Sequence, residues 1–173
     1  RRSVVLPALL GAALLGGCAS SQSTKVKEEA RQAEGLYRLA QLDFSQGKNQ
    51  DAITHAKKSL EMEPKNAEAN AFLGLVYLYL SDYKNAEKSL QEAVRLNPYL
   101  TDARNMLGAV YMKTGRPEQA RNAFMGCLKD KTYASPEKVL YNLGTLQLEA
   151  KQFADAESSF RRAVEANAKY AKG

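Results

Sequence analysis

The sequence predicts an all-α protein, a solenoid of helical pairs stacked as repeats. Its period is the first reason. Ala40, Gly74, Gly108 and Gly144 follow one another at intervals of 34, 34 and 36 residues, and Ala52, Ala86, Ala120 and Ala156 stand 12 positions after each of them. Leu39, Leu73, Leu107 and Leu143 precede the first set, while Pro64 and Pro98 close the first two units. The second reason is a repeated apolar position, Leu60, Val94, Leu128 and Val164, near the end of each unit, as an amphipathic helix requires. A unit of this length holds one helical hairpin, and stacked hairpins bury a core that none of them buries alone.

The chain opens with Arg1-Arg2 and an apolar run from Val4 to Leu15, ending in Gly16-Gly17-Cys18. A basic start, a short apolar core and small residues at its end make the pattern of a secretory signal. The run is 12 residues long, whereas a membrane-spanning helix needs about 20. No initiator Met is present, which predicts that a few residues precede the sequence given. Leu15-Gly16-Gly17-Cys18 resembles the bacterial lipobox. That resemblance implies a lipoprotein signal peptide over 1–17, a diacylglyceryl group on the Cys18 thiol and an acylated amine. One acyl chain binds a membrane marginally and two or more hold it stably. Ala19 and Ser20, with no Asp beside the cysteine, resemble the sorting signal for the outer membrane, so a lipid-anchored protein on its periplasmic face is expected. Residues 18–32 then form the lipidated cysteine and its linker. Ala19 to Lys27 holds no large apolar residue except Val26, which predicts a flexible tether.

The 34-residue body resembles the tetratricopeptide repeat, with units at 33–64, 67–98, 101–132 and 137–168. The helices are expected over 33–46 and 49–62, 67–80 and 83–96, 101–114 and 117–130, and 136–150 and 153–167. The resemblance implies a right-handed superhelix whose first helices line a concave face. A Gly or Ala in the first helix, with its Ala partner in the second, allows the two to approach closely. Tyr77 and Tyr111 fill the space near them, and Asp43 and Gln147 depart from that pattern. Gly47 and Gly115 supply turns inside the first and third units. Pro117 and Pro136 fit the first turn of a helix, with Ser135 as the expected N-cap. Two extra residues lie in the linker Lys131-Thr132-Tyr133-Ala134-Ser135-Pro136-Glu137, a tolerated loop insertion by the entropy of loop closure. The sequence stops at Ala171-Lys172-Gly173, where a fifth repeat or a capping helix would begin, so a truncated C-terminus is expected.

Composition narrows the function. The formal charge is +6; without Arg1 and Arg2 there remain 23 basic side chains against 19 acidic ones, too mild an excess for a nucleic-acid partner. A single His, and two Cys 109 positions apart, argue against a zinc site, a Cys–His nucleophile or a disulfide framework. No glycine-rich phosphate loop is present. The expectation is a non-catalytic protein with no metal, no cofactor beyond lipid on Cys18 and no small-molecule substrate. His55 is read as a solvated or interfacial side chain, and Cys127 as a buried, inert thiol. Lys57-Lys58 and Lys25-Val26-Lys27 are read as solvated charge.

The segment from Asp102 to Val164 further resembles the type IV pilus assembly lipoproteins, the PilF, PilW and Tgl group. The resemblance lies in Ala103-Arg104-Asn105-Met106-Leu107-Gly108, in Tyr133-Ala134-Ser135-Pro136-Glu137 and in Leu140-Tyr141-Asn142-Leu143-Gly144; Met106 departs from it where many members have Asn. It implies a pilotin, an assembly factor that binds secretin subunits of the type IV pilus machine and helps them reach the outer membrane and form multimers. Another envelope scaffold, for β-barrel assembly or for peptidoglycan hydrolases, is the alternative.

Carried over from the repeat family, the partner-binding groove comprises Tyr37, Gln41 and Phe44, then Ala71, Leu75, Leu78 and Tyr79, then Asn105, Ala109 and Met112, and finally Tyr141, Thr145 and Leu148. Such an apolar surface suits an amphipathic helix or an extended apolar segment, although several of these residues could instead pack between repeats. Tyr37, Gln41, Phe72, Asp102 and Met106 occupy the positions where carboxylate-clamping repeats carry Lys, Arg and Asn, which argues against a chaperone-tail clamp.

Overall fold

A computed structural model describes residues 16–170, with side chains for 22–168. The apolar run of the expected signal peptide and the side chain of Cys18 lie outside what it describes. The described residues form eight helices in sequence: α1 (Gly16–Ser45), α2 (Asn49–Met62), α3 (Ala67–Tyr79), α4 (Tyr83–Leu96), α5 (Thr101–Lys113), α6 (Pro117–Leu128), α7 (Pro136–Glu149) and α8 (Phe153–Tyr170). They pair as α1–α2, α3–α4, α5–α6 and α7–α8, and each second helix then packs on the first helix of the next pair. First helices also touch one another along the stack, while among the described residues no two second helices do. The first helices therefore crowd onto the concave side, and the second helices splay over the convex one.

The spacing of apolar residues sets this arrangement. On α4 the buried residues are Ala86, Ser89, Leu90 and Ala93, the i, i+3, i+4, i+7 stripe of a helix with one covered face. On α3, covered from several sides, burial extends over Ala67, Ala69, Asn70, Phe72, Leu73, Gly74, Val76 and Tyr77. Close approach within each pair depends on the small-residue position. A Cβ on Gly74 would lie 2.5 Å from Leu90, one on Gly108 2.5 Å from Phe124, and one on Gly144 2.7 Å from Phe160. The first repeat has Ala40 and Ala56 at the corresponding positions, both fully buried, so a larger residue in one helix is matched by a smaller one in the other.

The helix ends add details that periodicity does not carry. Asn66 caps α3 by accepting from the Ala69 amide at 2.9 Å, and Asp82 caps α4 through the Asn85 amide at 3.2 Å. Pro117 and Pro136 occupy first turns as expected. Ser135 does stand at the N-cap of α7, but its side chain makes no capping hydrogen bond. Gly47 and Gly115 adopt left-handed φ values of 76° and 70°, and the corresponding turn residues Ser81 and Lys151 both take φ 59° without being glycine.

Two expectations change. The stretch read as a flexible tether is helical, since α1 runs unbroken from Gly16 to Ser45. Residues 22–29 are exposed, and Ala33 is the first fully buried side chain, so tertiary packing does not hold this extension. It propagates from the nucleus that the first repeat supplies, and the Lys25–Glu29 and Glu28–Arg31 ion pairs support it at helical spacing. The long linker after α6 is also pinned. Thr101 Oγ1 donates to Asp130 at 2.7 Å, and the Tyr133 hydroxyl donates to Asp102 at 2.6 Å. Burial and that carboxylate push the Tyr133 hydroxyl pKa upward.

Candidate functional site

The expected groove residues divide into two sets. In the first set, side chains leave the concave face to join one repeat to the next. Tyr37 and Phe44 both pair edge-to-face with Phe72, ring centres 5.8 and 5.9 Å apart, and Phe44 pairs likewise with Tyr79 at 5.4 Å. Edge-to-face pairs of this kind are preferred geometries for aromatic rings. Ala71, Leu78 and Met112 pack against the core from partly buried positions. Asn105 is buried, and its side-chain oxygen accepts from Asn142 at 3.0 Å, an amide pair between the third and fourth repeats. The corresponding positions of the last repeat, Tyr141 and Leu148, are exposed because no described repeat follows them.

The second set stays open to solvent on the first helices. Gln41 is exposed, Leu75 and Tyr79 are 37% and 68% exposed, and Ala109 and Thr145 are half-buried. An acidic row borders these residues: Glu34, Glu68 and Asp102 hold the same repeat position, which Lys138 takes in the fourth repeat. Its field reaches the Tyr37 hydroxyl, whose pKa is raised by burial first and by the Glu68 and Glu34 charges next. The arrangement offers an apolar centre beside a line of carboxylates. That chemistry suits a segment carrying both apolar and basic side chains.

Two hollows lie at the end of the stack. One, of about 450 Å³, is lined by Leu148, Phe153, Phe160 and Val164 among others; a second, of about 660 Å³, includes Asn105, Glu137, Tyr141, Asn142 and Val164. One oxygen of the Glu137 carboxylate is buried without a hydrogen-bond partner. Among the described residues, no three His, Cys, Asp or Glu side chains are grouped to hold a metal ion. No described helix is long and apolar enough to cross a membrane.

His55 and Cys127 are structural contacts. His55 Nδ1 lies 2.7 Å from Asp43 Oδ2, so this histidine is interfacial and half-buried. Cys127 is fully buried and donates to the Thr101 carbonyl at 3.5 Å, as Ser59 donates to the Ala33 carbonyl at 2.8 Å in the first repeat. Burial pushes the Cys127 thiol pKa up to about 11. Lys58 is exposed, and the Lys57 ammonium lies 5.8 Å from the centre of the Tyr77 ring.

Comparison with known proteins agrees with this architecture. The chain is 26% identical over 159 residues to the type IV pilus assembly protein PilF of Pseudomonas aeruginosa, a match covering 88% of this chain and 62% of that protein. The crystal structure of MamA superposes with a TM-score of 0.74 at 25% identity, covering 91% of both chains. That of PilW, a type IV pilus biogenesis factor, does so with a TM-score of 0.74 at 24% identity, covering 78% of this chain and 62% of that one, a likeness of fold alone. The chain thus spans about three fifths of the pilus proteins that it matches. The family description "tetratricopeptide repeat" matches residues 37–101 and 105–171, and a second description of the same repeat matches 77–129. With eight helices in four stacked pairs and a family match over most of its length, the chain belongs to the tetratricopeptide-repeat family, a protein-interaction fold.

Proposed function

We propose that this protein is an outer-membrane lipoprotein of type IV pilus biogenesis, a pilotin that binds secretin subunits and promotes their localisation and multimerisation. One observation carries the reading: the 26% identity to PilF, which runs through 88% of this chain. The concave face supports it, because Leu75 and Tyr79 beside Glu34, Glu68 and Asp102 suit an amphipathic partner segment with basic side chains. In this reading the protein is non-catalytic, uses no cofactor or metal, and is held to the periplasmic face of the outer membrane by lipid on Cys18.

The test compares boiling-resistant secretin multimers in outer membranes from cells with and without the protein. Loss of multimers with the monomer still present is the expected result, and unchanged multimers overturn the pilotin role. Cys18→Ala tests the anchor separately. It should leave the protein uncleaved or soluble, and normal fractionation with the outer membrane would refute lipid anchoring.

A second reading stays open because the repeat fold is not confined to pilus proteins: MamA matches as well, and over more of its own length. In that reading the protein scaffolds another envelope assembly, such as β-barrel insertion or peptidoglycan hydrolysis. Co-purification of those components without secretin supports it.

A further inference from the structure

From Cys18 to Ala33, the first buried side chain of α1, the chain runs 15 residues without Gly or Pro, all of them helical. Residues 22–29 are exposed. Val26 is the single large apolar residue between Ala19 and Gln32. A helix that lies in a membrane interface needs a broad apolar face, and this length of α1 has none. A helix of such polarity bridges through solvent instead. We propose that the outer part of α1 is a strut that holds the stack off the bilayer and sets which edge of the stack faces the lipid.

This inference rests on the lipid anchor at Cys18 in the proposed function, and not on the secretin as partner. Fifteen residues of helix span about 22 Å. A flexible chain of that length has a similar mean span, about 20 Å, so height alone does not separate a strut from a tether. What a helix adds is direction. α1 continues unbroken into the first repeat as far as Ser45. Ion pairs at helical spacing cross the boundary between its open and packed parts, from Lys25–Glu29 and Glu28–Arg31 to Glu34–Arg38.

The axis of the strut is therefore the axis of the first helix of the stack. α2 returns antiparallel to α1 after the turn at 46–48. The linkers between repeats, at 63–66 and 97–100, then form the edge nearest the bilayer. The turns within repeats, at 46–48 and 80–82, form the far edge. The two edges differ in height by about 18 Å, the length of α1 from Ala33 to Ser45. A partner seated in the bilayer meets the linker edge first.

The test uses the lipidated full chain in vesicles of phosphatidylethanolamine and phosphatidylglycerol. Cys127 is buried and Cys18 carries the lipid, so introduced thiols are labelled alone. Spin labels on Ser23→Cys and Ser45→Cys, both exposed positions, should give one narrow distance of about 33 Å, the span of 22 helical residues. A broad distribution at shorter distances overturns the strut. Energy transfer to a headgroup dye is then compared for a fluorophore on Lys65→Cys, at the linker edge, and on Ser45→Cys, at the turn edge. Heights of about 22 and 40 Å should make transfer from the linker edge about twofold stronger. Equal transfer means that the stack tumbles on its anchor and overturns the proposal, as does stronger transfer from the turn edge. Normal outer-membrane fractionation of Cys18→Ala removes the anchor and this inference with it. Equal transfer in a protein that needs Cys18 for its membrane attachment sinks the strut alone.

Discussion

Asp43 and His55 meet at 2.7 Å across the first helical pair, at the positions where the second pair has Tyr77 and Ser89. The fourth pair solves the same problem with Gln147 and Ser159, whose hydroxyl donates to the amide oxygen at 2.7 Å. Where the aromatic ring is missing, a polar pair spanning 12 residues takes its place.

Asp43→Tyr alone should therefore be destabilising, because the ring must share its space with the imidazole; overpacking of this kind costs about 1–3 kcal/mol. Asp43→Tyr with His55→Ser recreates the second repeat's arrangement and should recover most of the loss. His55→Ala should cost about 1–3 kcal/mol by depriving a buried carboxylate of a partner. Urea unfolding of the single and double variants, closed as a thermodynamic cycle, measures the coupling. Additive effects would show that the two positions act independently.

Gly108→Ala and Gly144→Ala should separate, although both gain about 1 kcal/mol of helix propensity. The new methyl at 108 meets Phe124, which is fully buried and has nowhere to move; the overpacking should outweigh the gain by about 1 kcal/mol. At 144 it meets Phe160, which is only partly buried and can turn outward, so the change should be close to neutral. Equal shifts in unfolding midpoint would contradict this account of the close approach.

Ser81→Gly and Lys151→Gly should each stabilise the fold by about 0.5 kcal/mol. The left-handed backbone costs an ordinary residue about 1–2 kcal/mol, and the extra freedom of glycine in the unfolded chain returns part of that gain. Both residues hold φ at 59°, and Gly47 and Gly115 already occupy the matching turns. Thermal melts of the two variants would show the rise, and a fall in either would locate a side-chain contribution that outweighs the strain.

Cys127 gives a pH dependence of defined sign. Burial raises its folded pKa to about 11 from an ordinary 9.0. Above the ordinary value the unfolded chain loses this proton while the folded chain keeps it, so stability falls as pH rises from about 9 to 11. Cys127→Ala should flatten that part of the profile. In the folded protein the thiol should also resist alkylation at neutral pH and react once urea unfolds the chain.

The period and the apolar stripe are properties of the chain's own spacing, and they placed the helices with little error. The helix expected over 49–62 is Asn49–Met62, and the others agree within a few residues except at the outer ends of α1 and α8. The close approach at Gly74, Gly108 and Gly144 was legible for the same reason, since a missing side chain at a repeating position has a local meaning. The continuation of α1 to Gly16 was not legible. Its polar side chains read as solvated in either state, and only attachment to a packed helix supplies the nucleus that lets it propagate.

For the candidate site, sequence determined which residues belong to the first helices, and tertiary structure decided which of their faces remain open. Tyr37, Phe44 and Asn105 looked like groove positions, yet each is turned into the joint with the next repeat. Leu75 and Tyr79 remain exposed. Leu39 and Val164 occupy core positions of the repeat and are exposed because each stands at an end of the described stack. Burial depends on what lies across the interface. A repeating sequence writes the same instruction into every unit, and only the assembled stack distinguishes a middle from an end.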